Sequence, residues 1–364
     1  MKKYVYLLAI LTLACSCSQN DSLYSYENVN ANLDQYLTDK TVSVTVPSGS
    51  IAVVTMGENS ADTMAIISTS QDIVVPKYVT PNIDYVYATT TASKSFTRAN
   101  VVDASLYSQL DKKRNANYWQ VLAFEDSKNG DYDYNDLILH NRFILYNNND
   151  LNIAIHPVAL GAAKTINFGY EVYKKSGSTY TYIGGDEIKD VRKSLFLDQS
   201  NSGFINTESY QRHYDGYTYT KTFSNCTGNL SDYCVVSYIT TGDDSEKIYA
   251  INKENAKSVD LFDTNGRPYA LVLHGVSTTG YKQYYNGKTS TVGLDWFQYP
   301  MERVRIDDCY DFNSWLQAGD NLDKHIKSGA KVFDVNDNSR LSKAGVAARI
   351  YEVASPFILV TDWQ

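Results

Sequence analysis

Between Phe124 and Leu137 the chain reads Phe-Glu-Asp-Ser-Lys-Asn-Gly-Asp-Tyr-Asp-Tyr-Asn-Asp-Leu, which places Glu125, Asp126, Asp131, Asp133, Asn135 and Asp136 within twelve positions. Carboxylates at this density repel one another, so something must offset them. Calcium fits the donor set, because it takes about six to eight hard oxygens and tolerates a loop that offers them at alternate positions. The segment is not an EF-hand. Asp131, Asp133 and Asn135 match the first, third and fifth positions of that loop, but Asp136 stands where glycine is required and Arg142 where the closing glutamate belongs. The flanks read as strands. An extended stretch would put Asp131, Asp133 and Asn135 on one side and Tyr132 and Tyr134 on the other. The same residues also read as a hairpin turn, since Asn129-Gly130 followed by Asp131 is ordinary turn chemistry and Asx side chains bond their own backbone. The two readings, calcium loop and structural turn, stay open here. A bound ion would fix the loop; it would not act as a catalyst. Gly242-Asp243-Asp244 and Asp334-Val335-Asn336-Asp337 read as solvated turns.

Other chemistry is sparse. The chain contains no Gly-x-Ser-x-Gly, no His-Glu-x-x-His and no Gly-x-x-x-x-Gly-Lys. Its five histidines, His140, His156, His213, His274 and His325, are scattered and read as structural. Glycoside hydrolysis needs two carboxyls about 5 to 10 Å apart across a cleft, a spacing no sequence displays. The expectation is a protein that is not an enzyme. Cys226 and Cys234 sit close together in Asn-Cys-Thr-Gly-Asn-Leu-Ser-Asp-Tyr-Cys, where an oxidising compartment permits a disulfide; two reduced thiols are the other reading. Cys309 reads as a small buried residue.

The elements that must hold these residues begin with a leader. Lys2 and Lys3 precede an apolar run, Tyr4 to Ala14. That run is about half of the roughly 20 residues a membrane span needs, so residues 1–17 read as a cleaved signal. Leu11-Thr12-Leu13-Ala14-Cys15 fits a lipobox, with Cys15 lipidated; Ala14-Cys15-Ser16-Cys17 admits Cys17 instead. Acyl chains at either cysteine would tether the body to a membrane, each buried methylene adding about 0.8 kcal/mol. The polar residues 18–40 form the tether. The formal charge of −8 and the lack of a basic cluster argue against nucleic acid as a partner.

The body reads as mostly β. Its 31 tyrosines, against 12 phenylalanines and 4 tryptophans, suit half-buried sheet faces with a packed ring and a wet hydroxyl. Thr41 to Val46, Ile51 to Met56, Ile73 to Pro76 and Tyr85 to Ala88 alternate or run apolar between turn residues, which predicts a small immunoglobulin-like β-sandwich module over 40–95. Residues 96–117 read as a connection. A larger antiparallel β-sandwich or jelly-roll-like domain is predicted over 118–364. Its strands are Trp119 to Phe124, Asp136 to Leu139, Arg142 to Tyr146, Leu151 to Pro157, Phe168 to Tyr173, Tyr233 to Thr240, Tyr269 to Leu273 and Phe357 to Thr361. Phe312, Trp315 and Leu316 fall on one helical face, with Gly319 as a stop, which predicts a short helix over 311–318; Leu341 to Val353 is a second candidate.

The acidic segment resembles the signature of the LruC-domain lipoproteins, a Phe-Glu-Asp…Gly-Asp-Tyr-Asp-Tyr/Phe-Asn-Asp-Leu motif. Leu151 to Tyr170 is similar to that family's strand followed by a Gly-Ala turn. The stretch from Tyr269 to Gly319, with Asp295-Trp296-Phe297-Gln298-Tyr299-Pro300-Met301-Glu302 and then Tyr310 to Gly319, resembles the family's C-terminal part, catalogued as a domain of unknown function. The match covers about 118–364. It implies an envelope lipoprotein of Gram-negative bacteria, held at the outer membrane and exposed at the cell surface, with Glu125, Asp126, Asp131, Asp133, Asn135 and Asp136 as candidate calcium ligands. The family carries no activity to transfer. The expected role is a non-catalytic binding or adhesion module for a surface glycan or protein ligand, with a structural envelope or fimbria-associated subunit as the alternative and a glycan-active hydrolase ranked behind both. Trp296, Phe297 and Tyr299 are candidates for a sugar platform or for the core.

Overall fold

Asn115–Phe124 and Leu137–Tyr146, the strands on either side of the acidic segment, pair antiparallel over their whole lengths, from Asn115 opposite Tyr146 to Phe124 opposite Leu137. The acidic segment is therefore the loop of a long hairpin at one end of a sheet. The computed structural model describes residues 33–56, 63–88, 101–102, 104–112, 114–128, 130–196, 203–208, 216–242, 246–252, 261–263, 265–274, 282–285, 288–291 and 297–333. The leader with Cys15 and Cys17, the helix expected at Leu341 to Val353 and the strand expected at Phe357 to Thr361 lie outside the described residues.

In chain order the strands are β1 (Asp39–Val44), β2 (Ser50–Thr55), β3 (Thr63–Ile67), β4 (Gln71–Pro76), β5 (Asn82–Ala88), β6 (Val101–Val102), β7 (Asn115–Phe124), β8 (Leu137–Tyr146), β9 (Leu151–Ala159), β10 (Ile166–Ser176) and β11 (Thr179–Ile188). They continue with β12 (Tyr219–Phe223), β13 (Tyr233–Thr241), β14 (Ile248–Tyr249), β15 (Ala270–His274), β16 (Lys282–Tyr285), β17 (Lys288–Thr291), β18 (Tyr299–Pro300) and β19 (Val332–Phe333). The helices are short: α1 (Leu33–Tyr36), α2 (Ala104–Lys112), α3 (Val191–Leu195), α4 (Ile306–Cys309) and α5 (Phe312–Ala318). The protein is mostly β, in several antiparallel sheets with few helices, as the strand spacing predicted.

The large sheet runs β12-β9-β8-β7-β3-β2-β5-β6. One edge of β7 is shared: β3 pairs with its start through Ala65 and Ala116, and β15 pairs with its end, from His274 opposite Gln120 to Ala270 opposite Phe124. Strands from the 40–95 stretch and from the 118–364 stretch thus belong to one hydrogen-bonded sheet. A second sheet, β11-β10-β13-β14, and the β1–β4 pair lie over one face.

Both faces of the large sheet are buried at its middle strands, and that explains the apolar end of β7, Val121 to Phe124. Successive side chains alternate between faces. Leu122 and Phe124 enter a core with Leu139, Phe143, Ile153, Phe168, Tyr170, Val172 and Ile239, while Val121 and Ala123 pack on the far side against Leu271, Tyr134, Phe297, Tyr299, Ile306 and Trp315. A strand covered twice has no need of polar alternation, so it reads as a continuous apolar run. Each fully buried Leu or Phe contributes about 1.5–3 kcal/mol.

Several expectations change in detail. The two strands expected at Asp136 to Leu139 and Arg142 to Tyr146 are one strand, β8; the polar residues in its middle are buried, and the Arg142 guanidinium donates to Asn117 Oδ1 at 2.7 Å. The 96–117 connection contains α2, whose Leu110 packs with Ile51, Val53 and Val86. The helix at α5 forms as expected: Asp311 accepts from the Ser314 N–H at 3.1 Å, and Gly319 ends it with φ 62. Tyr36 of α1 packs on Phe312 and Trp315, so the start of the body rests on the C-terminal segment.

Candidate metal centre

Glu125 follows β7 directly, and its N–H donates to Tyr269 O beside β15. Its side chain turns back into the loop and is 2% exposed. The loop curls around it. Tyr134 N–H donates to Oε1 at 2.7 Å and Tyr132 N–H to Oε2 at 3.3 Å. Both tyrosines reach this geometry at positive φ, 61 for Tyr132 and 52 for Tyr134. The extended stretch with aspartates on one side and tyrosines on the other is therefore not what forms. The alternation instead makes a concave run of N–H groups, the arrangement that cradles anions in backbone nests. The left-handed conformation costs a non-glycine residue roughly 1–2 kcal/mol, and the tyrosine side chains offset it. The Tyr134 ring is fully buried with its hydroxyl donating to Pro268 O at 2.6 Å, and the Tyr132 hydroxyl donates to the Asp263 carboxylate.

With Glu125 inside the curl, the aspartates point at it. One oxygen each from Glu125, Asp131 and Asp133 lie within 4.8 Å of one another; Asp133 is buried and Asp131 exposed. Asp133 Oδ1 accepts from the Asn135 N–H at 3.3 Å, and Oδ2 accepts from the Arg303 N–H at 2.8 Å. Asp126 and Asp136 do other work. Asp136 Oδ2 accepts from the Asp126 N–H at 2.6 Å and closes the base of the loop, and Asp126 Oδ1 pairs with Lys164 at 3.0 Å. Asn135 is fully buried. Its Nδ2 donates to Pro300 O at 3.0 Å, while its Oδ1 has no hydrogen-bond partner among the described residues. An unsatisfied buried acceptor costs about 1–3 kcal/mol.

Glu302 also belongs here, although the acidic motif did not point to it. Its Oε2 accepts from Thr207 Oγ1 at 3.2 Å, and its N–H donates to Thr207 O. The available signal was the lone carboxylate in Tyr299-Pro300-Met301-Glu302.

The charges act on one another. Burial pushes the Glu125 carboxyl well above the ordinary range, with the Asp136 charge adding to it. Burial and then the Asp131 charge raise Asp133 to about 7. Burial and then the Asp126 charge raise Asp136 to about 8. Glu302 is raised to about 7, again mainly by burial, with the charges of Asp136 and Asp131 contributing. Without a cation, burial and mutual repulsion favour the protonated forms of these carboxyls.

The remaining candidates fall elsewhere. Cys226 and Cys234 are buried thiols with no bridge between them. Cys226 sits in the main core with Leu151 and Leu230, whereas Cys234 faces Tyr173, Tyr180 and Val236. Cys309 is a third buried thiol. Phe297 and Tyr299 are core residues at 4% and 0% exposure, which ends their candidacy as a platform; Trp296 lies outside the described residues.

No family model matches the chain, and no curated protein matches it. A crystal structure described as that of a putative lipoprotein from Bacteroides ovatus is similar at 11% identity, covering 79% of this chain and 100% of that one with a TM-score of 0.42.

Proposed function

We propose that the chain is a lipid-anchored protein of the outer membrane, exposed at the cell surface, whose β-rich body is a non-catalytic binding or adhesion module with calcium holding the 125–136 loop in shape. The observation that carries the metal reading is the convergence of Glu125, Asp131 and Asp133 oxygens within 4.8 Å, in the same loop as a buried Asn135 oxygen with no hydrogen-bond partner among the described residues. The donors are all oxygen, which suits a hard cation and not zinc or copper. Both oxygens of Glu125 and both of Asp133 already accept backbone N–H groups. Groups closed in this way stabilise a loop; a general acid or base must reach a substrate. The lipobox at Leu11 to Cys15 supports the anchor, and the resemblance of the 118–364 stretch to LruC-domain lipoproteins supports the location. A surface glycan or a protein is the ligand class we assign to the module.

The test is a calcium titration of the full chain in detergent micelles by calorimetry, with melting temperatures in calcium and in excess chelator. Saturable binding at about micromolar to millimolar calcium and a higher melting point are expected. Both should disappear in Asp131→Ala combined with Asp133→Ala. Absence of binding in the unmodified chain would leave the loop as a hairpin turn and favour a structural envelope subunit.

A further inference from the structure

Resting on that calcium reading, we infer that Asn135 and Glu302 supply oxygens to the same ion, and that the ion thereby fastens the 297–333 segment to the loop between β7 and β8.

The Asn135 amide cannot be turned around, because its Nδ2 is held by Pro300 O at 3.0 Å. Its Oδ1 therefore points the other way, fully buried and without a hydrogen-bond partner among the described residues. Glu302 Oε2 comes to the same place. A Cβ on Gly161 would lie 2.1 Å from Asn135 Oδ1 and 2.8 Å from Glu302 Oε2, so a glycine leaves the gap into which both oxygens project. An amide oxygen and a carboxylate oxygen are both acceptors. Two acceptors facing one gap need a cation or a hydrogen-bond donor between them. The carboxylates that already converge within 4.8 Å are Glu125, Asp131 and Asp133; Glu302 stands outside that group and is coupled to it by charge, with Asp136 and Asp131 acting on Glu302 and Glu302 on Asp133, so a shared ion has to draw Glu302 inward.

The backbone is arranged to bring Glu302 there. Arg303 has φ 61, a conformation rare outside glycine and asparagine, and in it the Arg303 N–H reaches Asp133 Oδ2. Three residues on, the Ile306 N–H donates to Tyr132 O at 2.7 Å. Residues 300 to 306 thus wrap the acidic loop, and the helices after them cover the outer face of β7 and β15 through Ile306, Phe312 and Trp315. An ion shared by Asp131, Asp133, Asn135 and Glu302 would tie these two distant parts of the chain, with water completing the coordination. Removing it would leave the carboxylate of Glu302 facing those of the loop, and the C-terminal segment would loosen from the sheet.

The experiment is hydrogen exchange on the full chain in detergent micelles, in millimolar calcium and in excess chelator, together with calorimetric calcium titration of Glu302→Gln and Gly161→Ala. Amides of residues 297–333 should exchange about tenfold or more slowly with calcium bound. Each variant should bind calcium about tenfold or more weakly and lose that calcium-dependent protection. A different result overturns the inference and leaves the loop site standing: the unmodified chain binds calcium, the Asp131→Ala and Asp133→Ala pair abolishes it, yet Glu302→Gln binds normally and exchange at 297–333 ignores calcium. A bridging water or a proton on Glu302 would then be what satisfies Asn135. No calcium binding by the unmodified chain overturns this inference and the loop site together.

Discussion

Glu125 Oε2 occupies the space that a side chain at Gly130 would take: a Cβ there would lie 1.7 Å from the oxygen and 2.8 Å from the carboxyl carbon. The loop can close over a buried carboxylate only because the residue passing across it has no side chain. Gly130→Ala should therefore displace Glu125 from the Tyr132 and Tyr134 N–H groups, not merely crowd it. Overpacking of this kind costs about 1–3 kcal/mol. Urea denaturation in chelator should show that loss, and calcium titration should show weakened binding in the same variant. Unchanged stability and unchanged calcium affinity would mean that Glu125 does not hold the loop.

How far the sequence discloses this arrangement depends on the range of the interaction. Short strands between turn residues disclose the sheets, and Phe312, Trp315 and Gly319 disclose α5, because each signal lies within a few residues of what it controls. The acidic segment is legible as a charge problem for the same reason. Its shape is not. Sequence rules assign positive φ to glycine and asparagine, so Tyr132 and Tyr134 suggest extended chain; what holds them in the left-handed region is Pro268 and Asp263, far along the sequence. Glu302 escapes for a related reason. A carboxylate with no acidic neighbour between Tyr299 and Ile306 has no local metal-site pattern, and long-range bonds, Asn135 to Pro300, Arg303 to Asp133 and Ile306 to Tyr132, bring it to the loop. The middle of β8 misleads because His140 and Asn141 look like a break between strands, whereas both are buried within one.

The three described thiols make a second prediction. Cys226, Cys234 and Cys309 are buried and unbridged, and burial raises the pKa of Cys226 and Cys309, so little reactive thiolate forms. Alkylation at neutral pH should label none of the three in the folded protein and all of them in denaturant. A reducing agent should leave the melting temperature unchanged. A fall in melting temperature on reduction, or a mass showing two hydrogens lost between Cys226 and Cys234, would establish the bridge in place of the two thiols.

The third prediction concerns pH in the metal-free protein. Asp133 and Glu302 are raised to about 7 and Asp136 to about 8, and Glu125 is raised as well. The folded protein holds these protons, whereas the unfolded chain releases them above the ordinary carboxylate range near 4. Their contribution to stability is therefore complete below about pH 4 and is lost as pH rises through 7 to 8. Buried His274, lowered to about 3 by desolvation, acts with the opposite sign, as does His140: the unfolded chain takes up their protons below about pH 6.5 and the folded protein does not. The two effects compete between about pH 4 and 6.5, but from 6.5 to 8 the carboxylates act without the histidines. In excess chelator the melting temperature should fall steadily over that upper window. Saturating calcium, which replaces the protons, should flatten or reverse the fall, so the gap between the two curves widens with pH. A chelator curve that stays level or rises from pH 6.5 to 8 would show that the cluster does not hold its protons in the folded state, and that Glu125, Asp133, Asp136 and Glu302 are charged even without a metal.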